Sequence, residues 1–152
     1  MIACDNIRIM EKRDKSSVLK MMTDFYSTPE NRAGGTPEIF IRNFDECIKG
    51  GSHIAGFVFE AFDKSLLGYA LIAQSYSTEY GRYVIWVEEV HVTEKARESE
   101  IIDSFLSYLE EHYSRHIHRL DVAAQNEFAM RFYMRRGFKL IPNVGMIRRP
   151  SK

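Results

Sequence analysis

The chain has 152 residues, 45% of them hydrophobic and 28% charged. That is ordinary globular usage and excludes a disordered, collagen-like or membrane-embedded chain. Its 21 basic and 21 acidic residues cancel, so it lacks the basic excess of a dedicated nucleic-acid binder.

The length predicts one domain over 1–152. Two cysteines, Cys4 and Cys47, are too few for a disulfide framework and suit a reducing, cytoplasmic compartment. No apolar segment of signal-peptide length opens the chain. The longest near-apolar run, Leu66 to Ala73, has the length of a buried strand and is far short of a membrane span.

Ile7 to Met10 reads as a short strand. Ser16 is placed to cap a helix that carries Val18, Met21, Met22 and Phe25 on one face. Thr36-Pro37 starts a second helix, because a proline's missing N–H costs nothing in the first turn, and Gly50-Gly51 ends it. Strand-like runs follow at 54–62, 67–76 and 83–92, with turns between them that suit an antiparallel meander. Glu98 to Tyr113 is helical, with Ile101, Ile102, Phe105, Leu106 and Leu109 as its buried stripe. A buried strand is expected at 120–124, then a helix capped by Asn126 and stopped by Gly137. Two final strands are expected at 138–141 and 145–149. The strand–helix–strand unit from 84 to 124 implies neighbouring parallel strands. The predicted whole is an α+β fold: a mixed, mostly antiparallel sheet with helices on both faces and one parallel strand pair.

The zero net charge hides an asymmetry. From Arg115 onward nine basic residues face two acids, a net +7, which leaves −7 on the first 114 residues. Chance clustering on solvated faces is one reading. A site that holds an anion at one end and a cation at the other is the second.

Two segments carry candidate chemistry. The first runs from Trp86 through Val-Glu-Glu-Val-His-Val to the helix start near Glu98. A strand leading through a short turn into a helix points free backbone N–H groups outward and makes an anion site. Glu88 and Glu89 interrupt an apolar strand, so one faces each side of the sheet. Either one lies at a bulge and meets solvent, or a carboxylate there holds an amine and removes its proton through water. The second segment is the helix from Asn126. Asn126 and Tyr133 are seven residues apart and share a face. Taken alone they are an N-cap and a half-buried core residue.

His112, His116 and His118 include an i, i+4 pair, but surface histidines at a helix end explain them, and no metal site is expected. Cys47 sits in an apolar stripe with no basic partner, which argues against a nucleophile. Segment 31–36, with Gly34-Gly35, is an expected loop beside an acceptor.

Read together, Gly68-Tyr-Ala, Trp86-Val-Glu-Glu-Val-His-Val92 and Asn126-Glu-Phe-Ala-Met-Arg-Phe-Tyr-Met-Arg-Arg-Gly-Phe138 resemble the GNAT superfamily of acyl-CoA-dependent N-acetyltransferases. Within it the chain looks most like the diamine (spermidine/spermine) acetyltransferases. The resemblance implies a splayed parallel strand pair, acetyl-CoA as co-substrate, no metal, a small primary amine as acceptor and a homodimer. It implies that the backbone of Val90, His91 and Val92 pairs with the pantetheine arm. The helix start, Arg97, Glu98, Ser99, Glu100, Ile101, Ile102 and Asp103, would cradle the pyrophosphate. Asn126 and Ala129 would bind the cofactor arm, with Arg135 and Arg136 near the phosphates. Tyr133 would protonate the departing thiolate, and Glu88, with Glu89, would orient and deprotonate the amine. The family's pyrophosphate loop carries three glycines, and here residues 97–102 carry none. The alternative is therefore a member of the fold that no longer binds acyl-CoA and serves as a ligand-binding or interaction module.

Overall fold

The computed structural model describes residues 1–31 and 34–151. In chain order come β1 (Cys4–Ile9), α1 (Lys15–Tyr26), α2 (Pro37–Lys49), β2 (Ile54–Ala61), β3 (Leu66–Ser77), β4 (Arg82–Val92), α3 (Glu98–His112), β5 (Ile117–Leu120) and α4 (Glu127–Arg135). The strands form one sheet in the order β1-β2-β3-β4-β5. Neighbours are antiparallel except β4 and β5, which are parallel. This is the α+β architecture expected from the sequence. The chain divides into two compact units, Met1–Asp121 and Val122–Lys152.

In the first unit, strand alternation sorts the core into two layers. Phe57, Phe59, Ala70, Ile72 and Ile85 pack with Ile101, Phe105 and Leu109 of α3. Val58, Tyr69 and Leu71, offset along the same strands, pack with Val18, Met21 and Met22 of α1 and with Phe40 and Phe44 of α2. Helices therefore cover both faces. Thr36 caps α2 by accepting the Ile39 N–H, with Pro37 in the first turn, as its sequence predicts.

Three expectations need correction. Helix α1 begins at Lys15 with Asp14, not Ser16, at its N-cap. The Asp14 carboxylate accepts the Glu11 N–H at 2.8 Å, closing a short 3-10 turn over Lys12–Asp14 before the α-helix starts. The parallel strand is Ile117–Leu120 rather than 120–124. Its pairing with β4 ends at Val87↔Leu120, just where β4 bulges, so the apolar run beyond Leu120 leaves the sheet.

The third correction lies in the second unit, where α4 is capped by Asn126 and the chain turns at Gly137, φ 93°. The final strands expected at 138–141 and 145–149 are not formed. Leu140, Val144, Met146 and Ile147 are 69%, 89%, 97% and 85% exposed. A strand needs a ladder partner, and an isolated hairpin is marginal in water.

Beneath the sheet's edge Arg8 ties β1 to its neighbours. Its guanidinium donates to Asp14 at 2.8 and 3.0 Å and to Glu60 at 3.0 Å, and both acids are buried. Burial, the largest single influence, would raise Asp14, but Arg8 and the Glu11 N–H, with the Arg13 charge, together outweigh it and hold the carboxyl below its usual range. The Arg8 hydrogen bond likewise lowers Glu60.

Candidate functional site

Strand β4 pairs with β3 through Leu71↔Glu89 and then Ile72↔Val87, so Glu88 is the extra residue of a β-bulge. Bulges re-aim side chains and end pairing, and this one does both. Glu88 is exposed whereas Glu89 is only 6% exposed. On its other edge β4 is paired with β5 only from Val84 to Val87. From Glu88 to Val92 no strand among the described residues pairs with that edge, and alternate backbone groups there can bind a ligand's amides. Val90, His91 and Val92 all lie on this stretch. Where the strands part, a cavity of about 240 Å³ is lined by Trp86, Val87, Glu88 and Asp121. Partial desolvation and the Asp121 charge raise the Glu88 carboxyl above its ordinary value.

Gly68 sits opposite Val92 in the β3–β4 ladder. A Cβ there would lie 2.2 Å from the His91 carbonyl oxygen, so no larger residue fits without moving the β4 backbone.

Glu89 projects among the side chains of the α1–α2 layer. Tyr26 and Tyr69 both donate to its carboxylate, Tyr69 at 3.4 Å. Burial raises the Glu89 carboxyl despite these two donors. His91, two residues on, packs against the Phe25 and Tyr69 rings at 6.2 and 6.0 Å, and burial lowers its pKa. Cys47 is pushed up to about 11 by burial and by the Glu89 charge, which makes it a poor nucleophile. Gly35, φ 86°, packs where a Cβ would meet the rings of Tyr26 and Phe40 at 2.6 and 2.7 Å. Of the expected acceptor loop, Arg32 and Ala33 lie outside the described residues.

At the start of α3 the N-cap is Arg97, and no side chain caps the helix. Glu98, Ser99, Glu100 and Asp103 are exposed, and Ile102 is half-buried. Glu100 is paired with Arg97 at 3.0 Å. Its charge is thus turned to a cation rather than to the helix amides. The Ile101 side chain is in the core and its N–H bonds to the Arg97 carbonyl at 3.1 Å, so among these residues it offers no free donor. The turn before α3 is braced by the Ile2 N–H, which donates to the Lys95 carbonyl at 2.9 Å.

In the second unit, the Asn126 side chain accepts the Ala129 N–H at 3.0 Å. Tyr133 is half-buried, edge-on to Phe132 and Phe138 at 5.3 and 5.7 Å. Arg135 is exposed in the last turn of α4.

Residues 17–138 match the model of the acetyltransferase (GNAT) family. The chain belongs to this family. Solved structures with a similar fold include a possible acetyltransferase from Clostridium difficile 630, 14% identical, TM-score 0.78, covering 97% of each chain. Aminoglycoside N-acetyltransferase AAC(6')-Iy in complex with CoA is 16% identical, TM-score 0.77, over 96% of this chain and 95% of that one. A transcriptional regulator from Bacillus halodurans C-125 is 21% identical, TM-score 0.70, over 95% and 98%. At these identities the likeness is one of fold. No curated protein sequence matches the chain.

As a GNAT fold, the molecule places Glu88 beside the parted strands and Glu89 away from solvent. The sequence requires the two carboxylates to point apart but does not say which goes where. Reasoning from sequence missed Tyr26 and Tyr69, the partners of Glu89, because they lie 63 and 20 residues from it along the chain. It also passed over Asp121. The expected strand at 120–124 put Asp121 inside the sheet, whereas pairing stops at Leu120 and leaves Asp121 at the strand's carboxyl end. The three histidines go different ways. His112 stacks on Tyr108 at 3.9 Å, His118 donates to the Tyr113 carbonyl at 3.0 Å, and His116 packs against Tyr83 and Tyr113. Among the described residues no helix is long and apolar enough to cross a membrane.

Proposed function

We propose that this protein is an acetyl-CoA-dependent N-acetyltransferase of a small primary amine, with a diamine or polyamine as the leading acceptor. The observation that carries this reading is the combination, in one GNAT fold, of a bulged β4 with a free edge at 88–92 and an α3 N-terminus that no side chain caps. A carboxylate projects where the strands part. The structure of AAC(6')-Iy with the bisubstrate analogue CoA-S-monomethyl-acetylneamine supports the class of acceptor by likeness of fold alone.

The residues present suit acetyl-CoA. Alternate backbone groups along Val90, His91 and Val92 are assigned to an amide-bearing arm. The start of α3 offers the N–H groups of Glu98, Ser99 and Glu100 and a positive dipole end to a diphosphate. Arg97 offsets one of the two glutamates in that turn. Asn126 and Ala129 at the start of α4 are assigned to the cofactor arm, and Arg135 and Arg136 to its phosphates. Bound acetyl-CoA supplies the thioester carbonyl that is transferred.

Glu88 orients the amine and, through a water, takes its proton as the C–N bond forms. Its raised pKa is apt for a base, since proton transfer is most efficient when the pKa lies near the working pH. Tyr133 donates its phenolic proton to the sulfur as the C–S bond breaks. Glu89 is assigned a positioning role: it fixes Tyr26 and Tyr69 against β4 and does not touch the amine.

The test is a thermal-unfolding scan with saturating acetyl-CoA beside ATP, followed by turnover with a panel of amines. A ligand at about 100 times its Kd stabilises a fold by roughly 2.7 kcal/mol. For a chain of this length the midpoint should rise by about 5–10 °C with acetyl-CoA and not with ATP. Glu88→Gln and Tyr133→Phe should each lower kcat by about 100-fold or more. No shift at millimolar acetyl-CoA overturns the reading in favour of a non-catalytic module.

A further inference from the structure

Where β4 and β5 part, the parallel register makes a specific juxtaposition. Val87↔Leu120 is the last pair. The next residue on each strand is a carboxylate, Glu88 on β4 and Asp121 after β5. Both line the cavity of about 240 Å³, together with Trp86 and Val87. Among the described residues no ion pair or hydrogen bond holds either carboxylate. The nearby basic group on β5, Arg119, instead lies over the Trp86 ring, 4.2 Å from its centroid. The Trp86 N–H donates to Ser75 at 3.2 Å, so the indole is held in place. Two like charges facing one cavity repel, and a cation between them removes the repulsion. Asp121 also adds to the upward shift that partial desolvation imposes on Glu88, an independent sign that its charge reaches that side chain.

We infer that Asp121 is a second acceptor-binding residue, which grips the ammonium-bearing substrate together with Glu88 and favours acceptors that carry two positive charges. This rests on the amine-acetylation reading above and extends it from one carboxylate to a pair. The acceptor is then recognised by charge placed at the strand ends. The substrate class this fits is an aliphatic diamine: one amine is held at Asp121 as the ammonium, and the other is presented at Glu88 for transfer.

The test uses the full chain and its only tryptophan, Trp86, which lines the same cavity. Quenching of Trp86 emission is titrated with 1,4-diaminobutane and with butylamine, for the wild type, Asp121→Asn and Asp121→Glu. The wild type should bind the diamine more tightly than the monoamine. Asp121→Asn should weaken the diamine by about 10- to 100-fold, as for loss of a charged hydrogen-bond partner. Asp121→Glu should restore part of the preference. In turnover, Asp121→Asn should raise KM for the diamine and leave KM for acetyl-CoA unchanged. A pH titration of Trp86 emission in the free protein should show the Glu88 transition moving to lower pH in Asp121→Asn, because a repelling charge is gone.

Equal diamine affinity and an unmoved titration in Asp121→Asn would overturn the proposal, as would a wild type that does not bind the diamine. A wild type that binds the diamine through Asp121 but transfers no acetyl group sinks the acetyltransferase reading and upholds the Asp121 site. If Asp121→Asn melts much lower than the wild type, Asp121→Ser is measured in its place, with the same outcomes deciding.

Discussion

Glu89 is a carboxylate on a strand whose neighbours are apolar, and it holds its place through two tyrosine hydroxyls. Burial raises its pKa above the ordinary 4.5. A group whose pKa is raised by folding stabilises the fold fully below the unfolded pKa and loses that contribution as pH rises through the folded value. Asp14 and Glu60 behave in the opposite sense: Arg8 lowers both, so their contribution is present above the unfolded value and is lost as pH falls. The expected outcome is that Glu89→Gln is more stable relative to the wild type at pH 8 than at pH 4, measured by urea unfolding across that range. A glutamine oxygen still accepts from Tyr26, so the packing survives. A constant difference across pH would contradict the raised pKa. None of this is visible in the sequence. Two adjacent glutamates require opposite faces, but which one meets tyrosines depends on the bulge.

At the scale of elements, β4 is shaped by its neighbours on both sides. Gly68 lets β3 approach so closely that a Cβ would come within 2.2 Å of the His91 carbonyl. Gly68→Ala should therefore displace the 88–92 edge, cost about 1–3 kcal/mol of stability and abolish the acetyl-CoA thermal shift. Retention of that shift at full size would show that the edge does not carry the cofactor. As a control for stability alone, Thr36→Ala removes the cap of α2, far along the chain from that edge. It should cost about 1 kcal/mol and leave the acetyl-CoA shift intact. The cap at Thr36-Pro37, the stop at Gly137 and the apolar stripe of α3 were legible because they are local signals of helix geometry. The start of α1 was misread because Asp14 is chosen as its N-cap through Arg8 and the Glu11 turn, not by Ser16.

For the whole molecule, the charge asymmetry follows the division into units. Residues 1–121 carry 14 basic and 20 acidic residues, and 122–152 carry seven and one. On the proposed reading, a net −6 unit bearing Glu88 and Asp121 would attract a polyamine, and a net +6 unit would suit a cofactor's phosphates. Such attraction is screened beyond about 10 Å at 0.1 M salt. Raising salt from about 0.05 to 0.5 M should thus lower kcat/KM for a diamine several-fold, and less for an uncharged aromatic amine. An equal loss for both acceptors would rule out steering.

Local periodicity and end signals already determined the order of most elements and a mixed sheet with helices on two faces. The motifs from Trp86 and from Asn126 also pointed to the family, which the match over residues 17–138 shows. Long-range pairing decided the rest. The bulge that separates Glu88 from Glu89, the early end of β5, the placing of Asp121 level with Glu88 and the absence of strands among the described residues after Gly137 all depend on which backbone lies alongside. The physical reason is one of range. Helix caps and hydrophobic stripes are satisfied by residues a few positions apart, whereas a strand's hydrogen bonds, and the cavity left where they stop, belong to partners distant in the chain.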